Sequence, residues 1–536
     1  MAKQIVLLSG RIVTGKSTLS SELSRRFDTK TIKTNALIEK RAGKIAAERG
    51  AMQRFGEKLD KSTKGTWLVE DLAREMEQYP EDAVIVVDAV RILNQIEAIR
   101  GAYGRRVVHI HLDANIDELS RRYEIRKKEG AKLQEFASYA DLSRNKTEAG
   151  IDALAEPADV VIKTDRSTSK DVVVRAAAHL GLLAGEPERI VDVLVGGQYG
   201  SEGKGHICYH LASEYDLLVR VGGPNAGHTV FESPKPYKHY QLPSGTRTAH
   251  AARLLIGPGA VLNVEKLLRE IADCEISCDR LSIDPQAMVI NERDQKREQD
   301  TIVATIGSTG QGVGAATARK IMRGSDVRLA RDTPQLKPYL REAREVLDRF
   351  FRERKRIFLE GTQGTGLSLH HGFYPHVTSR ETSVAGCLAD AGISPSRVRK
   401  VIICCRSYPI RVESPTNKTS GWMSKEISWA EVAKRSGIPV EELEEKERTT
   451  TTHRGRRVGE FDWDLFQRAV TLNAPTDVAL TFVDYITVKN RKARRFEQLS
   501  AETINFVEEL ERVACAPVSL ISTRFDSRSI IDRRAW

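Results

Sequence analysis

Near the start of the chain, Gly10-Arg11-Ile12-Val13-Thr14-Gly15-Lys16-Ser17 has residue types and spacing suited to holding a chain of phosphates. The run matches GxxxxGK[ST]. Its backbone N–H groups can cradle phosphate oxygens, Lys16 can reach the β and γ oxygens, and the Ser17 hydroxyl can bind Mg²⁺, with Thr18 next on the same helix start. A later apolar run ends in Asp88, where a carboxylate can hold Mg²⁺ or an acceptor hydroxyl, and Arg91 follows at a spacing suited to an acceptor phosphate. Arg121, Arg122 and Arg126 share one helical segment, where a solvated face is the plain alternative to a phosphate-covering role. The chemistry these residues suggest is phosphoryl transfer from a nucleoside triphosphate.

Positioning such groups requires a strand before the loop and a helix after it. Ile5–Leu8, Ala83–Val87, Val107–Leu112 and Val160–Ile162 read as strands alternating with helical stretches, the pattern of a parallel α/β domain over residues 1–183. A final helix is expected at Val172–Leu182, and residues 184–189, with Gly185 and Pro187, read as a linker. Ile190–Val195 opens a second, larger α/β unit over residues 190–536, with further strands at Val401–Cys405 and Val478–Phe482.

The front segment resembles P-loop nucleoside and nucleotide kinases, in which the arginine-bearing helix forms a lid. That resemblance implies a kinase-like parallel-sheet domain, with Gly10, Gly15, Lys16, Ser17 and Thr18 on ATP and Asp88, Arg91, Arg122 and Arg126 on the acceptor side. The second unit carries six ordered segments that resemble the adenylosuccinate synthetase family. They are Gly196–Gly205, Gly223–Thr229, Ile306–Gly314, Glu360–Gly364, Tyr374–Ser379 and Thr451–Arg457. One glycine-rich loop is ordinary turn chemistry, but six in order are not. The resemblance implies a ligase that moves a γ-phosphoryl group to O6 of a purine nucleoside monophosphate and then lets the amine of L-aspartate displace phosphate at C6.

It further implies roles for individual residues. Gly203, Lys204 and Gly205 would hold the donor's phosphates, His228 would face the moving phosphoryl group, and Ser201 with backbone around Gly227 would neighbour Mg²⁺. Asn225, Thr309, Thr378 and Gln363 would bind the acceptor nucleotide, and Thr451, Thr452, Arg454 and Arg456 would bind aspartate, the guanidinium groups forking onto carboxylates. Arg323 matches an arginine that reaches a neighbouring subunit's acceptor, which implies a homodimer.

Departures from the family narrow the reading, and the C-terminal segment Ser522-Thr523-Arg524-Phe525 also lacks the family's usual Gly-Pro turn. Ser201 stands where the family has the aspartate that deprotonates N1 of IMP and ligates Mg²⁺. A hydroxyl is no carboxylate base near neutral pH, but it is smaller and leaves room for a 2-amino group. The family's Thr-Lys-Leu-Asp, which reads the guanine of GTP, is here Thr481-Phe482-Val483-Asp484. An aromatic face and a carboxylate suited to an exocyclic amine point toward ATP as donor. Gln311 stands where the family usually has arginine. The changes at Ser201 and at Thr481–Asp484, with Gly366–Leu369 and Thr378–Glu381, resemble the 2-aminoadenylosuccinate synthase branch, which uses dGMP. The residue replacing the missing base stays open among Glu202, His228 and the substrate itself. Ordinary adenylosuccinate synthesis from IMP with GTP, and a nucleotide sensor of poor turnover, are the rival readings.

Composition sets the outer bounds. The 536 residues are 40% hydrophobic and 29% charged, as in an ordinary globular protein, and are too many for a single domain of usual size. No apolar run approaches a membrane span. Seven scattered cysteines form no CxxC array, so neither zinc nor a disulfide framework is indicated, and a reducing cytoplasm is expected. The net charge of +11 is compatible with nucleic acid, but arginines in phosphate- and carboxylate-handling loops account for it more simply.

Overall fold

The computed structural model describes residues 4–42, 49–128, 138–143, 150–183, 185–231, 236–413, 420–448, 454–526 and 528–536, leaving aside the side chains of 49–53 and 304. It divides into two compact units, Met1–Gly185 and Glu186–Trp536.

The first unit is built on a five-stranded parallel sheet. In spatial order its strands are Lys30–Lys33, Val84–Asp88, Gln4–Ser9, Val107–Asp113 and Val160–Lys163. The P-loop strand is central and buried on both faces. Alternation decides which residues meet which helices: Ile5 and Leu7 pack with Trp67, Leu72 and Ile96 on one face, while Val6 and Leu8 pack with Leu19, Leu23 and Val172 on the other. The edge strand Lys30–Lys33 is absent from the sequence reading, because four residues with two lysines show no apolar run. The last helix runs over Ser169–His179 rather than Val172–Leu182. A capping box between Thr168 and Asp171 starts it early, and Gly181 beyond its end has a φ of 65°.

The second unit is built on a nine-stranded sheet. Its order is Leu281–Ile283, Arg253–Ile256, Leu217–Arg220, Ile357–Glu360, Val191–Gly196, Val398–Arg406, Asp477–Thr481, Val518–Ser522 and Ile530–Asp532. All neighbours are parallel except the last pair. Val191, Val193 and Val195 enter one core and Leu194 the other, so helices cover both faces. The strand expected at Val478–Phe482 stops at Thr481, because Phe482 takes a left-handed backbone (φ 57°). Loops at the carboxyl ends of the central strands carry the polar residues described below, as is general for open parallel sheets.

Candidate active site

The strand Val191–Gly196 runs into the opening loop, and the helix Lys204–Leu211 leaves it. Within the loop Glu202 is fully buried. Its Oε1 accepts the amides of Gln198 (3.0 Å) and Gly200 (2.7 Å), and its Oε2 accepts the Lys204 ammonium at 2.6 Å. This carboxylate therefore ties the loop to itself. Ser201 is half-buried, and its carbonyl accepts from Arg406 Nη1 at 3.3 Å.

Two other segments meet this loop. A Cβ on Gly205 would stand 2.8 Å from that of His228, and one on Gly200 would stand 3.0 Å from the Gln363 Cα, so glycine permits both approaches. His228 opens a short strand and is buried with its Nδ1 on the Glu360 carboxylate. Glu360 also accepts Arg220 Nη1 (2.7 Å) and the Ser244 amide and hydroxyl (2.7 and 2.5 Å). Burial would raise the Glu360 pKa, but the Arg220 charge and the hydrogen bonds from His228 and Ser244 overcome that and hold it below the usual carboxylate range. Burial, then the Arg220 charge, lowers His228 to about 4, so its ring is neutral at pH 7. With Nδ1–H donating to an ionised Glu360, Nε2 carries the lone pair, and that atom is buried without a hydrogen-bond partner. Gln363 donates to Asn225 Oδ1 at 3.1 Å and accepts from Thr362 at 2.7 Å, which joins the two residues expected at the purine edge.

A second cluster surrounds the segment expected at the donor's base. Glu447 is buried and accepts Arg406 (2.7 Å), Arg456 (2.8 Å) and the Tyr485 hydroxyl (2.8 Å). Burial would raise its pKa, yet Arg406 and Arg456 bring it to about 2. The Arg406 guanidinium lies 4.1 Å from the centre of the Phe482 ring, and that ring also faces Gly203, so Phe482 supports the opening loop as well as the base pocket. Asp484 is buried on Arg491 (3.0 Å), with Oδ1 left without a partner. Arg456 Nε is likewise buried and unpartnered.

Other expected residues fall at separate places. Thr309 is exposed, Thr378 is half-buried with its amide on Leu367 O, and Arg323 is exposed beside Ile321 and Met322, which are 68% and 78% accessible. Arg454 is half-buried. Thr451 and Thr452 lie outside the described residues. Sequence reasoning missed Arg220, Glu360 as a partner of His228, Arg406 and Glu447. The signal available was a lone charge closing an otherwise apolar strand, as in Leu217–Arg220 and Ile357–Glu360, whose ends pair in register.

In the front unit Ser17 Oγ donates to Asp88 Oδ2 at 3.2 Å, and Lys16 donates to the Gly10 and Arg11 carbonyls at 2.6 and 2.8 Å. Arg122 and Arg126 line a cavity of about 270 Å³ with Thr14, Gly15, Thr18 and Thr164, beside the P-loop rather than beside Arg91. A hydroxyl and a carboxylate are hard oxygen donors of the kind Mg²⁺ takes, so Ser17 and Asp88 fit that ion. In the second unit Ser201 and the Gly227 backbone supply only neutral oxygens. An ion there would be held mainly by the donor's phosphates. Among the described residues no cluster of three acidic, histidine or cysteine ligands occurs, and no helix is long and apolar enough to cross a membrane.

The adenylosuccinate synthetase family model matches residues 193–331 and 326–491, which include the opening loop, the His228 loop and the Arg454–Arg456 segment. This chain belongs to the adenylosuccinate synthetase family. The adenylosuccinate synthetases of Methanosphaera stadtmanae and Pyrococcus horikoshii are each 35% identical to it, over 349 and 350 residues. Both alignments cover 64% of this chain, and 97% and 98% of the respective relatives. Among solved structures, the succinoaminodeoxyadenylate synthetase of cyanophage S-2L, bound to dGMP and to dATP as an energy donor, superposes with a TM-score of 0.55. It shares 27% identity over 65% of this chain and 96% of that one. The Plasmodium falciparum adenylosuccinate synthetase shares the fold, with a TM-score of 0.57 at 20% identity.

Proposed function

We propose that the synthetase unit joins L-aspartate to C6 of dGMP or GMP, giving 2-aminoadenylosuccinate, with ATP as phosphoryl donor and a 6-phosphoryl intermediate. One observation carries the reading. The opening loop presents Ser201 where the family has a carboxylate, and its remaining carboxylate, Glu202, is consumed by two amides and Lys204. Nothing acidic in this loop then faces the N1–C2 edge of the purine, and the space suits an amino group. The cyanophage relative, bound to dGMP and dATP, supports both the acceptor and the donor assignment.

Phosphoryl transfer asks mainly for positioning and dispersed positive charge. Lys204 and the loop amides would receive the donor's phosphates, and His228 Nε2, held by Glu360, would meet the phosphoryl group. Ser201 and the Gly227 backbone would border Mg²⁺ brought by the donor, whose chemistry there would be charge neutralisation on the phosphates. Asn225 and Gln363 would orient the purine, and Asp484 Oδ1, buried without a partner, would accept from the exocyclic amine of adenine. Arg454 and Arg456 would take the aspartate carboxylates. Exposed Ile321 and Met322 beside Arg323 fit a homodimer in which this arginine serves the neighbouring subunit.

The front unit reads as a nucleotide kinase. The support is the Ser17–Asp88 contact beside Lys16 and the Arg122–Arg126 cavity that would take the donor's base. Its acceptor is expected to be a purine monophosphate of the kind the synthetase route yields.

A substrate panel read by mass spectrometry tests the synthetase assignment. dGMP or GMP with aspartate and ATP is expected to react faster than IMP, and Ser201→Asp to shift preference toward IMP. Equal or better use of IMP by the native chain would refute it. The same panel run on Lys16→Ala protein tests the kinase. Loss of monophosphate phosphorylation with ligation intact is the expected result.

A further inference from the structure

The loop Ile306–Gly314, expected at the acceptor's phosphate, turns through Gly312 (φ 85°) into the helix Val313–Ile321. A helix start of this kind offers its first backbone N–H groups to an anion. Here the chain itself supplies the anion. Glu298, on the helix Glu292–Thr301, accepts the Gly312 amide on Oε2 at 2.7 Å and the Gly314 and Ala315 amides on Oε1 at 2.6 and 3.2 Å. Glu298 is 5% exposed, so these bonds are shielded from water and charge-assisted.

The two helices are docked by other means. Asp294 closes a capping box with Asn291 and receives Arg319 at 3.1 and 2.6 Å, and Arg319 also donates to the Val289 and Asp326 carbonyls. The three bonds of Glu298 act instead on the turn from Gly312 to Ala315. That turn borders the second segment expected at the acceptor. A Cβ on Gly314 would stand 3.2 Å from Glu298 Oε1 and 3.3 Å from the Cβ of Ser379, the neighbour of Thr378. At the other end of the loop Thr309 is exposed, and the Ser308 hydroxyl accepts the Gly310 amide at 3.3 Å. An arriving phosphate therefore meets helix amides already filled by a buried carboxylate, beside threonines on two adjoining segments.

We infer that Glu298 is a positioning residue for the acceptor nucleotide: standing in for a phosphate at the helix start, it fixes the Gly312–Ala315 turn so that Thr309 and Thr378, and not the helix amides, meet the nucleotide's phosphate. The inference rests on the reading of Ile306–Gly314 as the acceptor loop. Glu298 acts through the backbone and touches no substrate. Its loss would free three amides and let the turn relax, which weakens acceptor binding and leaves the donor and aspartate sites as they are.

Steady-state kinetics on the full chain, with each substrate varied in turn, test it. Glu298→Ala is expected to raise KM for the purine monophosphate by about 10-fold or more, with kcat and the KM values for triphosphate and aspartate changing by less than about 3-fold. Formate, a carboxylate small enough to refill the vacated place, should lower the acceptor KM of this variant and leave that of the native chain unchanged. Asp294→Asn weakens helix docking without touching the turn, so it should lower the melting temperature and leave the acceptor KM alone. Should Glu298→Ala fail to fold, Glu298→Gln carries the same test, because an amide group cannot accept on both atoms and the turn loses part of its hold. An unchanged acceptor KM, an equal rise for triphosphate or aspartate, no response to formate, or the same rise in Asp294→Asn overturns the inference while leaving the ligase reading intact. A native chain that consumes no purine monophosphate with aspartate overturns both.

Discussion

The chain contains two glycine-rich loops that do the same local job and end in different states. Each follows a buried strand, Gln4–Ser9 or Val191–Gly196, and each ends in a glycine with left-handed backbone just before a lysine that starts a helix. The φ values are 100° at Gly15 and 83° at Gly203. Lys16 rests on the two neutral carbonyls of Gly10 and Arg11 and remains half-buried. Lys204 is 1% exposed and paired with the equally buried Glu202. A carbonyl can yield a lysine to an arriving phosphate with little cost. A buried carboxylate holds on to it, because the pair has already lost its water, so Lys204 would meet a phosphate while still paired with Glu202. Similar motifs therefore differ in that the front unit's lysine rests on neutral carbonyls, whereas the synthetase unit's loop is preorganised by an internal ion pair.

The sharpest break of this comparison is to remove each lysine. Lys204→Ala leaves Glu202 as an unpaired buried charge. It should lower the stability of the synthetase unit by about 3–5 kcal/mol and abolish ligation. Lys16→Ala gives up hydrogen bonds to the neutral Gly10 and Arg11 carbonyls and should cost less than about 1 kcal/mol while ending ATP use in the front unit. Scanning calorimetry with both assays checks this, and equal destabilisation by the two variants would remove the distinction.

Next in size is aspartate use, which should depend on one unit alone. Arg454→Ala or Arg456→Ala is expected to weaken it by roughly 10–100-fold, or about 1.5–3 kcal/mol, with no change in the front unit's ATP binding. Normal aspartate kinetics in either variant would show that the loop is misassigned.

The two units should respond alike to acid. Burial, and then the His111 charge, lowers His109 in the front unit to about 4, and burial followed by His210 does the same to His206 in the synthetase unit. Unfolded histidine titrates near 6.5, so between the two values the unfolded chain binds more protons. The contribution is fully present above about pH 6.5 and is lost as pH falls toward 4, at roughly 2–3 kcal/mol for each histidine. Melting temperatures of both transitions should fall over that range, and a flat profile in one unit would show its histidine to be solvated.

The smallest expected effect is at Phe482. Its ring carries the Arg406 guanidinium and faces Gly203, so Phe482→Ala should cost about 1 kcal/mol in donor KM. A comparable rise in acceptor KM would indicate that its main task is to support the opening loop.

What could be read from the chain alone was local along it. Gly10–Ser17 and Gly196–Gly205 each need only neighbouring residues to make a phosphate cradle, since a strand, a turn with positive φ and a helix start are contiguous in sequence. The central strands were legible for the same reason, their apolar runs being buried on both faces. The sequence also showed that Ser201, Phe482 and Gln311 depart from the family pattern, but not what surrounds them. Tertiary structure decided that Glu202 is occupied, that Glu360 orients His228 across 132 residues, that Glu447 gathers Arg406, Arg456 and Tyr485, and that Lys266 reaches Gln311. Apart from Glu202 and Lys204, which are two residues apart, these partners come from strand ends, helices and loops separated along the chain, and tertiary packing sets them side by side. A charge closing an apolar strand announces that it needs a partner, but the identity of that partner depends on which strand lies alongside.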